Sequence, residues 1–307
     1  MGDRVRLSAQ ARELLDWGKV NAREAGDDVI ALRALHREMT RVFGGPTERV
    51  AAVDEVDAGG VPARLYRPAR ESRDVLVWLH GGGFKVGDPD CADPLARALA
   101  NRASCAVLSV DYRLVPEHPY PAAVEDAWAA TVWASERFEQ VAVGGDSAGG
   151  NLAAGVALHA RDAEVPLVLQ LLVYPAMDAR LDTPAVEEYV ACWSDAGAAS
   201  RDGVRRMWEA YVPDPARRGE RDMQPGLAER VDGVAPALVL LAAHDIVRGG
   251  GEDYARRLEA AGVPVEVHCY PEQIHAFYGL HAFDDARDAT ERSAAALRRA
   301  FRGEAQV

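Results

Sequence analysis

A serine becomes a nucleophile when a histidine takes its proton and a carboxylate holds that histidine, and this sequence offers these three residue types in a workable chain order. The strongest local signal is GDSAG at 145–149, directly after the apolar run VAVGG and before the helix-like NLAAGVALHA. A serine that must project from a sheet edge needs a sharp strand-to-helix turn, and small neighbours such as Gly145 and Gly149 permit the crowding. A helix beginning near Ser147 would also aim its free N–H groups at the reaction centre. The five-residue pattern alone also fits a packing turn; the strand–turn–helix context favours the chemical reading.

A second signal is HGGGF at 80–84, straight after VLVWL. Three consecutive glycines weaken any regular element. They do let backbone N–H groups approach a ligand without Cβ obstruction, and in acyl transfer such donors stabilise the oxyanion of the tetrahedral intermediate. The rival chemistry, a phosphate cradle, lacks its lysine: Lys85 comes too early.

Eight histidines compete for the role of base. In sheets that carry a serine on such a turn the chain order is serine, acid, histidine, the last beyond the final strand. His275 fits, five residues past VPVEVHCY and in the loop before a C-terminal helix. His281 reads as capping or starting that helix, and His268 as structural within a strand. His36, His118 and His159 have no chemical context. The acid should leave the preceding strand, and ALVLLAAHD ends in Asp245, which would fix the histidine tautomer and stabilise the imidazolium. Asp253 and Glu252 are alternatives, although the next helix points them away from the strand tip; a helix-capping role is the other reading of Asp245.

The elements that must position these groups are legible as alternating textures. Two helical segments open the chain, the second carrying Val29, Leu32, Leu35, Met39, Val42 and Phe43 on one face and ending at Gly44-Gly45-Pro46. Strands are expected at 75–80, 106–110, 141–145, 167–174, 237–243 and 263–270. Most are continuous apolar runs, as in a parallel sheet covered on both faces. Helical stripes lie between them, for example Val124, Trp128, Thr131 and Val132, or Tyr254, Ala255, Leu258 and Ala261. The alternation predicts a doubly wound α/β fold. Residues 178–222 break the rhythm with Tyr189, Trp193, Trp208 and Tyr211 among charged residues. We read them as a helical insertion that, with residues 1–46, caps the active edge of a core formed by 47–177 and 223–307.

The 307 residues suffice for one main domain with a small appendage. With 35 basic and 48 acidic residues the net charge is −13, which disfavours a nucleic-acid partner. The N-terminus, MGDRVRLSAQARELLDWGKV, has no apolar run like a signal peptide, and LVLQLLVYPAM at 167–177 is too short to span a bilayer. The four cysteines are scattered without metal-ligand or redox spacing, which predicts no metal and no disulfide framework. The expected address is the cytoplasm.

With these pieces placed, the sequence resembles the hormone-sensitive lipase-like esterases, a branch of the α/β-hydrolases. The resemblance spans nearly the whole chain and rests on HGGGF at 80–84, DYRLVPEHPYPA at 111–122, GDSAGG at 145–150, YPAMD at 174–178 and YVPDP at 211–215. It implies an α/β-hydrolase fold with a helical cap, a triad of Ser147, Asp245 and His275, and an oxyanion hole from the N–H groups of Gly82, Gly83 and Ala148. It further implies that His80 and Asp146 hold loops and that Arg113 and Glu117 form ion pairs. Similar proteins hydrolyse small-molecule esters of short to medium acyl chains without a cofactor, and edge-strand homodimers are common among them.

Three positions depart from the family pattern. Ile246 replaces the proline after the aspartate, Gly249 replaces an acidic residue four positions on, and Ala276 replaces the glycine after the histidine. None removes a catalytic group. Related scaffolds also serve as dehydratases, lactonases or deacetylases, since fold alone does not fix the reaction. Plant hormone receptors share the fold but lack the histidine that is present here as His275.

Overall fold

A computed structural model describes residues 6–193 and 200–304. Two helices, α1 (Ala9–Ala25) and α2 (Val29–Phe43), precede an antiparallel strand pair, β1 (Ala52–Asp57) and β2 (Pro62–Arg67). Strands and helices then alternate: β3 (Asp74–Leu79), α3 (Pro89–Ala103), β4 (Ala106–Val110), α4 (Ala122–Ser135), β5 (Gln140–Asp146), α5 (Ala148–Asp162) and β6 (Leu169–Val173). Helices α6 (Pro184–Trp193) and α7 (Arg201–Tyr211) interrupt the alternation before β7 (Ala237–His244), α8 (Arg248–Ala260), β8 (Val265–Ile274) and α9 (Asp284–Phe301).

The strands form one sheet in the order β1-β2-β4-β3-β5-β6-β7-β8. From β4 to β8 every pairing is parallel. Successive side chains of a strand point to opposite faces, and β3 shows it: Val75, Val77 and Leu79 join one buried cluster, Leu76 and Trp78 the other. The first cluster includes Ala127 of α4, Ala153 of α5 and Leu258 of α8. The second includes Leu14 of α1, Leu99 of α3 and Leu297 of α9. Helices therefore cover both faces, as the continuous apolar runs predict.

Six expected strands are present, and two features differ. The β1–β2 pair was not expected, because β1 is largely exposed and carries Asp54, Glu55 and Asp57, while β2 breaks its short buried run of Ala63, Leu65 and Tyr66 with Arg64. Strand β8 runs four residues further than expected, through Pro271 to Ile274. It is an outer strand, where proline's missing N–H costs little. His275 thus follows the strand directly instead of standing in a loop five residues beyond it.

Residues 178–222 hold α6 and α7 and, among the described residues, no strand; 194–199 of that stretch lie outside the described residues. Helix α7 is fastened by aromatic packing. Tyr211 stacks on Phe84 with ring centroids 3.6 Å apart and meets Tyr120 edge-on at 5.6 Å. The Tyr120 N–H donates to the Tyr211 carbonyl at 2.9 Å. At the other end of the chain order, α2 reaches the same region through Arg33 and Arg37, which bond to Lys85, Val115, Glu117 and Asp88.

Candidate active site

Ser147 sits between β5 and α5 with φ +54°, a left-handed conformation that costs a non-glycine residue of order 1–3 kcal/mol. Surrounding bonds enforce it. The Ser147 N–H donates to Val173 O at 2.9 Å, and the Ser147 carbonyl accepts from Ala176 N at 3.0 Å and Asn151 N at 3.1 Å. Buried Asn151 ties the same region down by donating to Ala176 O and Met223 O. The crowding expected of the turn is real: a Cβ on Gly145 would run into the Gly149 backbone, and one on Gly149 into Leu79 O and His80 O.

His275 Nε2 lies 2.8 Å from Ser147 Oγ, and its Nδ1 lies 2.6 Å from Asp245 Oδ2. A carboxylate only accepts, so Nδ1 carries the proton and Nε2 faces the hydroxyl as acceptor. Asp245 follows β7 with its side chain fully buried. Its second oxygen takes the Val247 N–H at 3.0 Å, so both oxygens are engaged. Burial opposes charging His275, but the charge of Asp245 and its hydrogen bond outweigh burial and hold the imidazole above its ordinary value. Tyr174 packs against the His275 ring at 4.7 Å. Three residues remote in sequence, 147, 245 and 275, thus form one hydrogen-bonded line at the carboxyl edge of the sheet.

Other sequence candidates fall elsewhere. Asp253 pairs on the surface with Arg180 and Arg256, and Glu252 with Arg248. His268 lies within β8 beside Tyr270, as expected. His281 neither caps nor starts α9: it is buried, with Nε2 2.9 Å from Thr290 Oγ1, and burial pushes its pKa down to about 4.

The glycine loop turns beside Ser147. Gly82 and Gly83 have φ +120° and +61°, and the Gly82 carbonyl accepts from Lys85 N at 3.1 Å and Val86 N at 3.0 Å. Among the described residues the N–H groups of Gly82 and Gly83 meet no acceptor. Ala148, first in α5, has no intrahelical acceptor for its own N–H. The loop is held from beneath. Asp146 Oδ1 takes the Gly81 N–H at 2.8 Å. Burial raises the Asp146 carboxyl to about 6 against that bond and the His275 charge. His80 stacks on Tyr112 at 4.3 Å, and the Tyr112 hydroxyl donates to His80 O at 2.6 Å. Burial keeps His80 neutral, its Nδ1 donating to Gly81 O at 2.8 Å.

Arg113 and Glu117 each form an ion pair, though not with one another. Arg113 grips Asp126 at 2.7 Å and Glu125 at 3.1 Å, while Glu117 binds Arg33 of α2 at 2.7 Å. Sequence reasoning missed Arg33, which reads as one more polar residue on the outer face of an amphipathic helix. The only available hint was its charge complementarity to Glu117. Among the described residues no group of three or more His, Cys, Asp or Glu is arranged to hold a metal ion, and no helix is long and apolar enough to cross a membrane.

Comparison with known proteins places the fold. A family described by the alpha/beta hydrolase fold matches residues 76–279. The carboxylic ester hydrolase LipN of Mycobacterium tuberculosis is 40% identical over 273 residues, covering 83% of this chain and 71% of that protein. The carboxylesterase NlhH of Mycobacterium tuberculosis is 41% identical over 256 residues, 78% of this chain and 79% of its own. Among solved structures, the hyperthermophilic esterase from the archaeon Pyrobaculum calidifontis superimposes with a TM-score of 0.87 at 32% identity, covering 95% of this chain and 98% of that one. This chain belongs to the alpha/beta hydrolase fold family that includes the hormone-sensitive lipase-like esterases.

Proposed function

We propose that the protein is a serine carboxylesterase that hydrolyses small-molecule esters of short- to medium-chain acids through an acyl-enzyme on Ser147. The observation that carries this reading is the hydrogen-bonded line from Ser147 Oγ through His275 to Asp245, at 2.8 and 2.6 Å, beside a glycine loop whose Gly82 and Gly83 N–H groups meet no acceptor among the described residues. The esterase names of the relatives support the same class of bond.

His275 takes the Ser147 proton at Nε2 as Oγ attacks the ester carbonyl. The negative oxygen of the tetrahedral intermediate accepts hydrogen bonds from Gly82, Gly83 and Ala148. His275⁺, stabilised by Asp245, returns the proton to the departing alkoxide and the alcohol leaves. Water then attacks the acyl-enzyme with His275 as base, releasing the acid and restoring Ser147. No step needs a cofactor.

Helices α6 and α7, with the N-terminal segment 1–46, act as a cap over this edge, and 47–177 with 223–307 form the catalytic core. Buried Tyr189, Trp208 and Tyr211 support that role. Homodimerisation through β8 fits its place as an outer strand with Val267 43% exposed and Cys269 exposed. Four unpaired thiols fit a cytoplasmic setting.

The test is turnover of p-nitrophenyl acetate and butyrate beside a lactone and amide panel, with Ser147→Ala as control. Ester turnover lost in that variant supports the assignment; undiminished turnover, or activity confined to lactones or amides, refutes it.

A further inference from the structure

The residues that present the glycine loop do not all belong to the sheet. Gly82 and Gly83 are carried on a turn closed by the bonds from Lys85 N and Val86 N to Gly82 O. The same two peptides are gripped from outside through their carbonyls. The Phe84 carbonyl accepts from Val115 N at 2.9 Å. The Lys85 carbonyl accepts from Arg33 Nε at 3.1 Å, across 52 residues of sequence.

Arg33 is unusually well employed for a residue whose side chain is 25% exposed. Nε bonds Lys85 O, Nη1 bonds Glu117 Oε1 at 2.9 Å, and Nη2 bonds both Val115 O at 3.2 Å and Glu117 Oε2 at 2.7 Å. Four of the five guanidinium donors are therefore engaged, one at Nε, one at Nη1 and two at Nη2. The bidentate carboxylate fixes the plane of the fork, and the fork then binds the carbonyls on both sides of the Phe84–Val115 link. One turn along α2, Arg37 makes a more ordinary contact, a single bond to Asp88 at 2.5 Å with the arginine side chain 56% exposed. Arg33 holds loop backbone; Arg37 holds a side chain at the start of α3.

We infer that Arg33, oriented by Glu117, is a positioning residue that sets the oxyanion loop from the N-terminal helix, so that α2 helps to determine the rate of the chemical step. This rests on the esterase reading above. The arginine touches no reacting atom. It acts by holding the Lys85 peptide, and with it the direction of the N–H groups at Gly82 and Gly83. Glu117 is available as a permanent anion, because its bond to Arg33 pulls its carboxyl down to about 2.

A residue that positions a transition-state donor changes kcat and leaves substrate affinity nearly unchanged. A residue that only docks a helix changes melting temperature. The experiment measures kcat, KM, melting temperature and the rate of fluorophosphonate labelling for wild type, Arg33→Met, Arg33→Lys, Glu117→Gln and Arg37→Met. Since one lost oxyanion donor costs about 10²–10³-fold, a misplaced one in Arg33→Met should lower kcat by about 10- to 100-fold, with KM within about threefold. Labelling, which passes through a similar charged intermediate, should slow in parallel. Arg33→Lys should recover part of the loss, because an ammonium reaches one carbonyl but not the fork. Glu117→Gln should fall between wild type and Arg33→Met, and it serves as the reporter if Arg33→Met does not fold.

Arg37→Met should keep kcat within about twofold. The inference is overturned if folded Arg33→Met retains wild-type kcat, or if only KM changes. It is equally overturned if Arg37→Met loses kcat to the same extent at a similar melting temperature. A wild type that turns over esters and labels at Ser147 while the Arg33 variants are unaffected rejects this inference alone. A wild type that does neither rejects the esterase reading and this inference with it.

Discussion

Ala185 of α6 occupies the space that any side chain at position 249 would need: a Cβ on Gly249 would stand 2.6 Å from the Cβ of Ala185. The absence of a side chain at this position lets α6 and the first turn of α8 come into close contact. Gly249→Asp should force these helices apart and cost about 1–3 kcal/mol, the usual penalty of overpacking. Thermal melts of Gly249→Asp and of Gly249→Asp/Ala185→Gly test this; the double variant should recover most of the loss. A single variant as stable as wild type would show that the contact is not restrictive.

Ala276, next to the proposed base His275, has φ +68°, a conformation that favours glycine. Ala276→Gly should stabilise the fold by about 1 kcal/mol, since relief of left-handed strain exceeds the extra freedom gained by the unfolded chain. A raised melting temperature with unchanged kcat is the expected result. A lowered one would mean that the methyl group contributes packing that outweighs the strain.

In the proposed mechanism His275 must be neutral at Nε2, and the charge and hydrogen bond of Asp245 outweigh burial and hold its pKa above the ordinary imidazole value of 6.5. The acid limb of kcat/KM should therefore lie above about 6.5, with activity rising as pH increases through it. Asp245→Asn should move that limb downward and lower kcat by roughly 10³–10⁴-fold, because the wrong tautomer then faces the serine. Stability linked to His275 has the opposite sign. Its raised folded pKa adds stability that is complete below the unfolded value and lost as pH rises through the folded one. A limb unmoved by Asp245→Asn would separate the carboxylate from the base.

Asp146 carries a carboxyl raised to about 6 by burial. A raised acid favours the folded state when protonated, so that contribution is complete below the ordinary carboxyl value of 3.8, is lost as pH rises through about 6, and stays lost above it. Asp146→Asn, which retains an oxygen for the Gly81 N–H, should therefore raise the melting temperature more at pH 8 than at pH 5. An equal change at both would show that Asp146 titrates alike in the folded and unfolded chain.

Gly83 lies against α7, since a Cβ there would stand 3.2 Å from both Met207 Cγ and Sδ. Gly83→Ala should lower kcat by about 10²-fold by displacing an oxyanion donor. Met207→Ala in the same chain should recover stability but not the full rate, because φ +61° still disfavours alanine. Full recovery of rate would reduce the problem at Gly83 to crowding alone.

The parallel strands, and the three side chains that the structure brings into one hydrogen-bonded line, were legible because both depend on local signals. Buried strands such as β3 and β7 carry continuous apolar runs, VLVWL and ALVLLAA, and Ser147 and Asp245 each follow an apolar strand while His275 follows the more polar β8. The β1–β2 pair was not legible, since its outer strand exposes Asp54 and Glu55 and shows no apolar alternation. The end of β8 was misread because Pro271 looks like a stop, and only its place at the sheet edge makes it harmless. The role of Arg33 depends on contacts with residues 52 to 84 positions away, and no periodicity encodes those. Ile246 was marked as a departure, yet its reason is tertiary: it is buried in the cluster that also holds Val186 of α6 and Val204 of α7.

The central claim is that His275 makes Ser147 the nucleophile, and active-site labelling tests it most directly. Wild type, Ser147→Ala and His275→Ala are treated with a fluorophosphonate, and the adduct is located by peptide mass spectrometry while ester turnover is followed. One adduct on Ser147, lost turnover in proportion to labelling, no label in Ser147→Ala and at most slow label in His275→Ala is the predicted result. An adduct on another residue, or ester turnover retained by Ser147→Ala, would contradict the account.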